Sequence, residues 1–332
     1  MSLQQIIAII IFLCTMGAII TGKVHNTVAS LTGAACLVLT HILSIEDCID
    51  AVDVETICIL VGMMLLVAVI KNSGIFEYIA IKAAKIAKGR PWPIMVIFIL
   101  ITAVCSGMLD NVTTVLLVGP MTLAITNILK VDPVPYIITQ IMASNIGGTA
   151  TLIGDPPNIM IGSAAKLSFN DFIVNTGLPA VIIGILTLFC FYFIYGRKLH
   201  VTPEKMAAVM ELDENKAIKD KVLLIQSVVV MICVVVAFML HDALGIQSAT
   251  IAIAAAAVIL FLSHGKADPE EIIATVEWPT IVFFVGLFGV VGGLQQTGVI
   301  DMMAKFLINV TQGTIYLCSC LFCGFLLYFH HS

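Results

Sequence analysis

The chain has 332 residues, of which 60% are hydrophobic and only 11% are charged, and its formal net charge is −5. Because soluble domains carry a charged surface of roughly 25% or more, this composition excludes a soluble globular protein. With a mean hydropathy of +1.10, the chain is predicted to be an all-α polytopic membrane protein, and no nucleic acid partner is expected.

Eight apolar runs are predicted to be spanning helices, since a span needs about 20 apolar residues. They are residues 3–20, 24–43, 54–70, 137–146 with a continuation past Asn158, 172–195, 222–240, 248–262 and 280–294. The first run has no basic residue before it and no cleavage site of small residues after it. It is therefore interpreted as a retained helix and not as a signal peptide.

Two further apolar pieces, residues 93–108 and 112–129, flank the pair Asp110-Asn111. They are short for two independent spans and suit a re-entrant hairpin over residues 92–130, which enters and leaves the membrane on one side. Irregular backbone at membrane depth is tolerated only where protein or a water-filled cavity covers it.

The distribution of charges predicts the orientation of the chain. Loop 44–55 contains five acidic residues and no basic residue, whereas segment 71–91 contains five basic residues: Lys71, Lys82, Lys85, Lys88 and Arg90. By the positive-inside rule, segment 71–91 and the polar linker 196–221 are cytoplasmic and the N-terminus lies outside. The chain is thus predicted to be a multi-pass protein of the plasma membrane.

The sequence contains an internal repeat. Residues 51–80 align without a gap to residues 275–304, at a constant offset of 224, and the matches include Gly62 with Gly286 and Gly74 with Gly298. Such a repeat is typical of secondary transporters built from two related halves. Because five crossings precede the second copy, it starts from the opposite side. The prediction is two inverted repeats, residues 1–195 and 222–332 (the second incomplete), joined by the linker 196–221.

The tip of the predicted hairpin is the first candidate binding segment, and its polar residues are Asp110, Asn111, Thr113 and Thr114. Asp110 or Asn111 is placed to cap the helix that follows, with the freed amides pointing at whatever lies at the tip. An ionisable side chain near the bilayer centre costs a few kcal/mol, whereas Gly, Ser or Asn would cap without that cost. The sequence therefore favours a role for Asp110 in binding a cation or a proton.

The second candidate segment is a helix that is predicted to break in the middle of the membrane. Gly147-Gly148 and Pro156-Pro157 are expected to interrupt it, since proline removes a donor and clashes one turn back. Exposed carbonyls on one side would bind a coupling ion, and exposed amides on the other an anionic substrate group. The candidate ligands are Asn145, Gly147, Gly148, Thr149, Thr151, Gly154, Asp155, Pro156 and Asn158, with Asp155 either holding charge or capping the second half-helix.

The string from Asn145 to Asn158, Asn-Ile-Gly-Gly-Thr-Ala-Thr-Leu-Ile-Gly-Asp-Pro-Pro-Asn, resembles the ion transporter superfamily. That superfamily groups arsenical-pump membrane proteins, NhaD-type sodium/proton antiporters, the melanosomal P protein and divalent anion/sodium symporters. The resemblance covers residues 20–312 and looks closest to the P-protein and arsenical-pump branch. It implies two inverted repeats, each with a re-entrant hairpin and a broken helix, and a homodimer with an elevator-like moving part.

The resemblance also implies a function. The symporter branch carries Ser-Asn-Thr at the hairpin tip, where this chain has Asp110-Asn111-Val112 and Thr113 one place later. Asn111 matches that pattern, and Asp110 makes proton coupling plausible. The expected function is secondary active transport of a small anion, an arsenite-type oxyanion or an organic anion, coupled to H⁺ or Na⁺. The alternative is a Na⁺/H⁺ antiporter. No cofactor is expected, and no metal beyond Na⁺ at the same residues.

Three further interpretations concern enzymes, channels and the C-terminal end. An intramembrane aspartyl protease would need Gly-x-Gly-Asp, but Leu152 occupies the first glycine position, so no enzyme is expected; a channel is a remote alternative. The repeat counterparts of Asp110 and Gly148 fall at residues 334 and 372, beyond Ser332. The tail 317–331, which includes a Cys320-x-x-Cys323 motif, is interpreted as having lost the resemblance. A truncated carrier, or a short form completed by a partner chain, is therefore expected.

Overall fold

The structure, a computed structural model, describes residues 2–266 and 268–311, and within them it is helical without any β-strand. The tail and the Cys320-x-x-Cys323 motif lie outside the described residues. A π turn, Ile173–Gly177, joins α10 to α11, and two 3₁₀ turns, Gly196–Lys198 and Glu214–Ala217, lie in the linker. The α-helices are α1 (Leu3–Thr21), α2 (Asn26–Leu39), α3 (Ile45–Asp50), α4 (Val54–Asn72), α5 (Ile75–Ile86), α6 (Pro91–Ser106), α7 (Asn111–Leu129), α8 (Val134–Thr149), α9 (Pro156–Ala165), α10 (Phe169–Phe172), α11 (Leu178–Ile194), α12 (Pro203–Met210), α13 (Lys221–Leu244), α14 (Ser248–Leu262), α15 (Pro269–Ala274), α16 (Trp278–Gln296) and α17 (Val299–Thr311).

Most predicted spans are confirmed as helices. Among the described residues, six helical segments are long and apolar enough to cross a membrane: α1, α4, α7, Phe169–Lys198, α13 and α16. The apolar helices α2, α6 and α14 are shorter, with 10–17 residues each. The run predicted over residues 24–43 is helical only from Asn26 to Leu39, because the chain turns at His41, whose φ is 57°. The chain is an all-α polytopic membrane protein.

Helix starts follow local capping chemistry. In the capping box of α3, the Ser44 hydroxyl accepts a hydrogen bond from the Asp47 amide at 3.0 Å, and the Asp47 carboxylate accepts one from the Ser44 amide at 3.0 Å. Proline opens α6, α9, α12 and α15, where its missing N–H leaves no helical bond unmade. The short polar sequences between apolar runs therefore set the helix bounds.

The helices form two units. The first contains the chain up to Asp53 and from Trp278 onward, and the second contains Val54–Glu277. In the first unit, α2 packs on α16 and α1 packs beside both. Its core is a cluster of small and aliphatic side chains: Ala8, Ala34, Leu37, Ile42, Leu43, Val290, Leu294 and Val299.

In the second unit, α4 packs along α14, and the hairpin of α6 and α7 packs on α8. Ile94 near the start of α6, Leu129 at the end of α7 and Tyr136 in α8 belong to one buried cluster, together with Val209 of the linker helix α12. Both ends of the hairpin therefore lie beside the linker, while its tip meets the far end of α8. With 19 residues, α7 is long and apolar enough to cross a membrane, so the expectation that this piece is too short for an independent span is wrong.

The helix bounds reproduce the offset of the sequence repeat. Helices α3, α4 and α5 begin at residues 45, 54 and 75, and α15, α16 and α17 begin at residues 269, 278 and 299. Both α4 and α16 contain 19 residues. Packing is also matched, since α4 pairs with α14 and α16 pairs with α2. Each unit thus contains a pair made from one helix of each copy.

Equivalent glycines stand at the centre of these two helix pairs. A Cβ atom on Gly62 of α4 would lie 2.6 Å from the carbonyl carbon of Ala252 in α14. One on Gly286 of α16 would lie 2.8 Å from that of Ser30 in α2. Because only glycine lets two helix backbones approach this closely, the sequence match of Gly62 with Gly286 has a packing reason.

The loops of the second unit fall into two groups. Segment 71–91 and the linker contact each other through a Lys85–Glu214 ion pair of 2.5 Å and a hydrogen bond of 3.1 Å from the Lys219 amide to the Ser73 carbonyl. At the other end, the start of α4, residues 163–168 and residues 241–248 line one cavity of about 250 Å³. The charge distribution in the sequence predicts that the first group of loops lies on one side of the membrane and the second group on the other.

Candidate functional site

The hairpin tip is capped by Asp110. Its Oδ1 atom accepts a hydrogen bond of 2.8 Å from the Thr113 amide, and its carbonyl oxygen accepts one of 3.1 Å from the Thr114 amide. The backbone of Asp110 is extended, with φ of −70° and ψ of 157°, as an N-cap requires. The predicted cap is therefore confirmed, and the carboxylate is half-buried at the tip.

The chain is broken between α8 and α9, where Ala150–Asp155 are not helical. Pro156-Pro157 begin α9, so their predicted effect is confirmed. The prediction for the glycines is wrong, because Gly147 and Gly148 lie inside the last turn of α8. A Cβ atom on Gly147 would lie 2.6 Å from the Cα atom of Ala103 in α6. These glycines are needed for close packing of α8 on α6, and α8 remains helical through them.

Two side chains close the break. The Asn158 amide nitrogen donates to the carbonyl oxygens of Gly148 at 3.1 Å and Thr151 at 2.8 Å. The Thr151 hydroxyl donates to the Gly107 carbonyl at 2.5 Å and accepts from the Gly154 amide at 3.1 Å. These bonds join the end of α8, the start of α9 and the hairpin tip, so carbonyls that the break exposes are paired within the protein.

The start of α9 does not present the free amides that the sequence predicts. Pro156 and Pro157 have no N–H, and the amides of Asn158 and Ile159 both donate to the Asp155 carbonyl, at 3.0 and 3.4 Å. Asp155 occupies the N-cap position, but its side chain makes no capping bond. The expectation that backbone amides of this half-helix bind an anion is therefore wrong, because the prolines remove the donors. Because it makes no capping bond, the Asp155 carboxylate is available to bind an ion or a proton.

Glycine packing also holds the tip against the break. A Cβ atom on Gly154 would lie 2.7 Å from the Ser106 carbonyl oxygen, and one on Gly148 would lie 2.7 Å from that of Gly154. The buried Ser106 hydroxyl donates to the Ser144 carbonyl at 2.7 Å. Ser106 was not predicted from the sequence, where the available signal was a serine beside a glycine at the end of an apolar run.

Asn111 connects the hairpin tip to an exposed polar surface on α8. Its side-chain nitrogen donates to the Oδ1 atom of Asn145 at 3.1 Å. One turn later, the exposed hydroxyl of Thr149 donates to the Asn145 carbonyl at 2.7 Å. Within residues 2–266 and 268–311, the hydroxyl groups of Thr113 and Thr114 form no hydrogen bond to this polar surface. Thr114 is buried, with only 1% of its surface exposed.

The site carries negative charge and no positive side chain. Asp155 lies near enough to Asp110 for their charges to repel. Residues 91–129 and 134–165 contain these two aspartates and no lysine or arginine. In the described part of the chain, no group of three or more His, Cys, Asp or Glu side chains could hold a metal ion. Two carboxylates with neighbouring amide and hydroxyl oxygens suit a proton or a monovalent cation.

A cavity of about 310 Å³ opens beside Asn145 and Thr149. Its opposite wall contains Asn175 and Thr176, which lie in the π turn Ile173–Gly177. These two residues were not predicted as site residues, because they fall inside an apolar run that was interpreted as an uninterrupted spanning helix. The signal was the string Asn-Thr-Gly-Leu-Pro at residues 175–179, which places polar residues and helix breakers together in that run.

The model of the citrate transporter family (CitMHS) matches residues 16–329. The chain belongs to this family. The resemblance to the ion transporter superfamily is thereby confirmed, with the citrate transporter family as the matching member. The match also includes the tail 317–329, which the sequence analysis placed outside the resemblance; that interpretation is wrong.

Several relatives of the chain are named as transporters. An uncharacterized transporter of Mycobacterium tuberculosis is 38% identical over 316 residues, which cover 94% of this chain and 73% of the relative. The magnetosome protein MamN of Magnetospirillum gryphiswaldense is 32% identical over 314 residues, covering 92% and 71%. The P protein of Homo sapiens is 29% identical over 378 residues, covering 91% and 45%. The chain is therefore an integral multi-pass transporter and not an enzyme.

Proposed function

We propose that this protein is a secondary active transporter that carries a small organic anion across the plasma membrane together with H⁺ or Na⁺. The observation that carries the proposal is the meeting of the hairpin tip and the broken helix, with Asp110 and Asp155 on one site that has no basic side chain. An anion approaches two carboxylates only when a proton or cation neutralises them. Coupling follows from this charge balance.

The family name supports an organic anion over an arsenite-type oxyanion as the substrate, and citrate is the natural probe. Asn111, Asn145, Thr149 and Thr151 supply neutral hydrogen-bonding groups at the site, and Asn158 holds the break in shape. Gly147, Gly148 and Gly154 allow the close packing around the break, and Pro156 begins α9. In this proposal Asp110 and Asp155 bind the coupling ion, and the amide and hydroxyl groups bind the substrate.

The test uses the whole chain in liposomes with an imposed pH or Na⁺ gradient. Uptake of labelled citrate is expected to rise at least tenfold with the correct gradient. Asp110→Asn removes the charge but keeps an equally good N-cap, so it should abolish the effect of the gradient while the protein stays folded. Asp132→Asn is the matched control, since Asp132 caps the start of α8 by accepting from the Val134 amide at 3.0 Å. Citrate uptake that ignores both gradients would overturn the proposal.

A Na⁺/H⁺ antiporter is the second candidate, because the same pair of carboxylates would exchange a proton for Na⁺ without an anion. It is tested by adding Na⁺ to acid-loaded vesicles that contain no organic anion, with a pH-sensitive dye inside. Proton efflux on addition of Na⁺ alone favours the antiporter. No efflux, together with gradient-driven citrate uptake, excludes it.

We further propose that the two copies are inverted repeats, that the N-terminus lies outside, and that the protein works as a homodimer with an elevator-like moving part. The equal helix bounds and the reciprocal helix pairs support the repeat. Labelling of cysteines introduced at Lys82 and Lys305 with an impermeant reagent tests the inversion, because only one of them should react from outside. Light scattering of the purified protein in detergent tests the dimer.

A further inference from the structure

The π turn Ile173–Gly177 has an identifiable cause. Pro179 has no N–H, so the carbonyl of Asn175, four residues earlier, has no helical donor there. The chain widens into a π turn immediately before it, and α11 then continues to Ile194. Such turns often occur at functional sites, because they redirect side chains out of the regular helical face.

The polar side chains of this turn are only partly used within the helix. The Asn175 side-chain nitrogen donates to the Asp171 carbonyl at 2.8 Å, and the Thr176 hydroxyl donates to the Phe172 carbonyl at 2.6 Å. The Thr176 hydroxyl thereby donates its one hydrogen, whereas the Asn175 amide keeps a second hydrogen, and both side-chain oxygens remain acceptors. Among the residues that the structure describes, no donor reaches the Oδ1 atom of Asn175 or the hydroxyl oxygen of Thr176.

These acceptors face the same cavity as the candidate site on α8. The cavity of about 310 Å³ is lined by Asn145, Thr149, Asn175 and Thr176 together with Ile146, Pro179, Ala180 and Ile183. Asn145 accepts from Asn111 of the hairpin tip through its Oδ1 atom, which leaves its side-chain nitrogen as a donor toward open space. A hydrogen bond therefore connects one wall of the cavity to the hairpin tip, and the π turn forms the other wall.

We propose that Asn175 and Thr176 are specificity-determining residues: in this cavity their acceptor oxygens bind a hydroxyl group of the transported organic anion, and the second amide hydrogen of Asn175 binds one of its carboxylate oxygens. The proposal rests on the transport function proposed above. Most of the cavity wall is apolar, and four neutral amide and hydroxyl residues stand in it. That combination, in a volume within the range of small-molecule pockets, suits a multi-atom organic acid. A spherical ion would leave most of the cavity unfilled. The apolar side chains of Pro179 and Ile183 suit the carbon skeleton.

The test compares near-isosteric variants on one helix. Thr176→Val deletes only the hydroxyl and Asn175→Leu only the amide, whereas Thr176→Ser keeps the hydroxyl. The control is Thr187→Val, further along the same helix, where Thr187 lines a neighbouring apolar cavity that Asn175 and Thr176 do not line. Loss of one hydrogen bond to the substrate is expected to raise the KM for labelled citrate about tenfold, with Vmax within about twofold. Thr176→Ser and Thr187→Val should match the wild type.

A second measurement keeps the inference decidable if a variant folds poorly. In Thr176→Cys, citrate should slow alkylation of the new thiol by a maleimide, as read by mass spectrometry of the peptide that contains residue 176. Unchanged KM in Asn175→Leu and Thr176→Val, or alkylation indifferent to citrate, overturns the inference. If Asp110→Asn transports like the wild type while Thr176→Val still raises KM, the proposed coupling through Asp110 is wrong, but the proposed role of Asn175 and Thr176 in substrate binding is supported.

Discussion

Replacing Asn158 with leucine is expected to loosen the break between α8 and α9. Leucine has nearly the same size as asparagine but no donor, so the substitution removes the two bonds from the side-chain nitrogen to the carbonyls of Gly148 and Thr151. The Gly148 carbonyl keeps a long bond of 3.5 Å from the Thr151 amide. The Thr151 carbonyl accepts the shorter of the two bonds, at 2.8 Å, so the substitution leaves this carbonyl without its donor.

The expected cost follows from those contacts. Each hydrogen bond contributes about 1 kcal/mol net, and a part-buried acceptor left without a donor costs about 1 kcal/mol more. The sum is about 3 kcal/mol. At about 2–4 °C per kcal/mol for a large domain, the apparent Tm should fall by about 6–12 °C. Transport should fall with it, because the same bonds hold the Thr151 backbone against the hairpin tip.

The assay is scanning fluorimetry of the purified protein in detergent, followed by citrate uptake in liposomes. Asn127→Leu is the matched control, since Asn127 is exposed near the end of α7 and its side chain makes no hydrogen bond within the described residues. It should melt with the wild type. If Asn158→Leu also melts within about one degree of the wild type and transports normally, the break is not held by this side chain and the reasoning is wrong.

Two further predictions concern packing and pH. Gly62→Ala places a Cβ atom 2.6 Å from the Ala252 carbonyl carbon, so it should destabilise the protein by about 1–3 kcal/mol. A Cβ atom on Gly17 would have no atom within 4 Å, so Gly17→Ala should leave the melting temperature unchanged in the same assay. Equal melting temperatures for the two variants would contradict the packing argument. The hydrogen bond from Lys85 holds the pKa of Glu214 below its usual value of 4.5. Its contribution to stability is therefore present above pH 4.5 and is lost as the pH falls below it. Hydrogen exchange of residues 199–220 should rise in that window in the wild type but not in Glu214→Gln, and the same rise in both would refute the assignment.

The class of protein and the location of its irregular backbone follow from the amino-acid sequence alone. Composition excluded a soluble fold, and the pair Pro156-Pro157 marked the break because proline cannot continue a helix without losing a bond. The cap at Asp110 was also predictable, since capping depends on residues three positions apart. The repeat offset predicted where α15, α16 and α17 begin, because equivalent sequences adopt equivalent local structure.

Tertiary structure decided what the local pattern left ambiguous. Gly147 and Gly148 remain helical because α6 packs against them. A side chain at either position would prevent this close approach of the two helices. The start of α9 has no free amides because Asn158 and Ile159 both turn back to one carbonyl. The cavity between Asn145 and Thr176 joins residues from separate helices. Such arrangements depend on which helices meet, and that is set by long-range packing rather than by neighbouring residues.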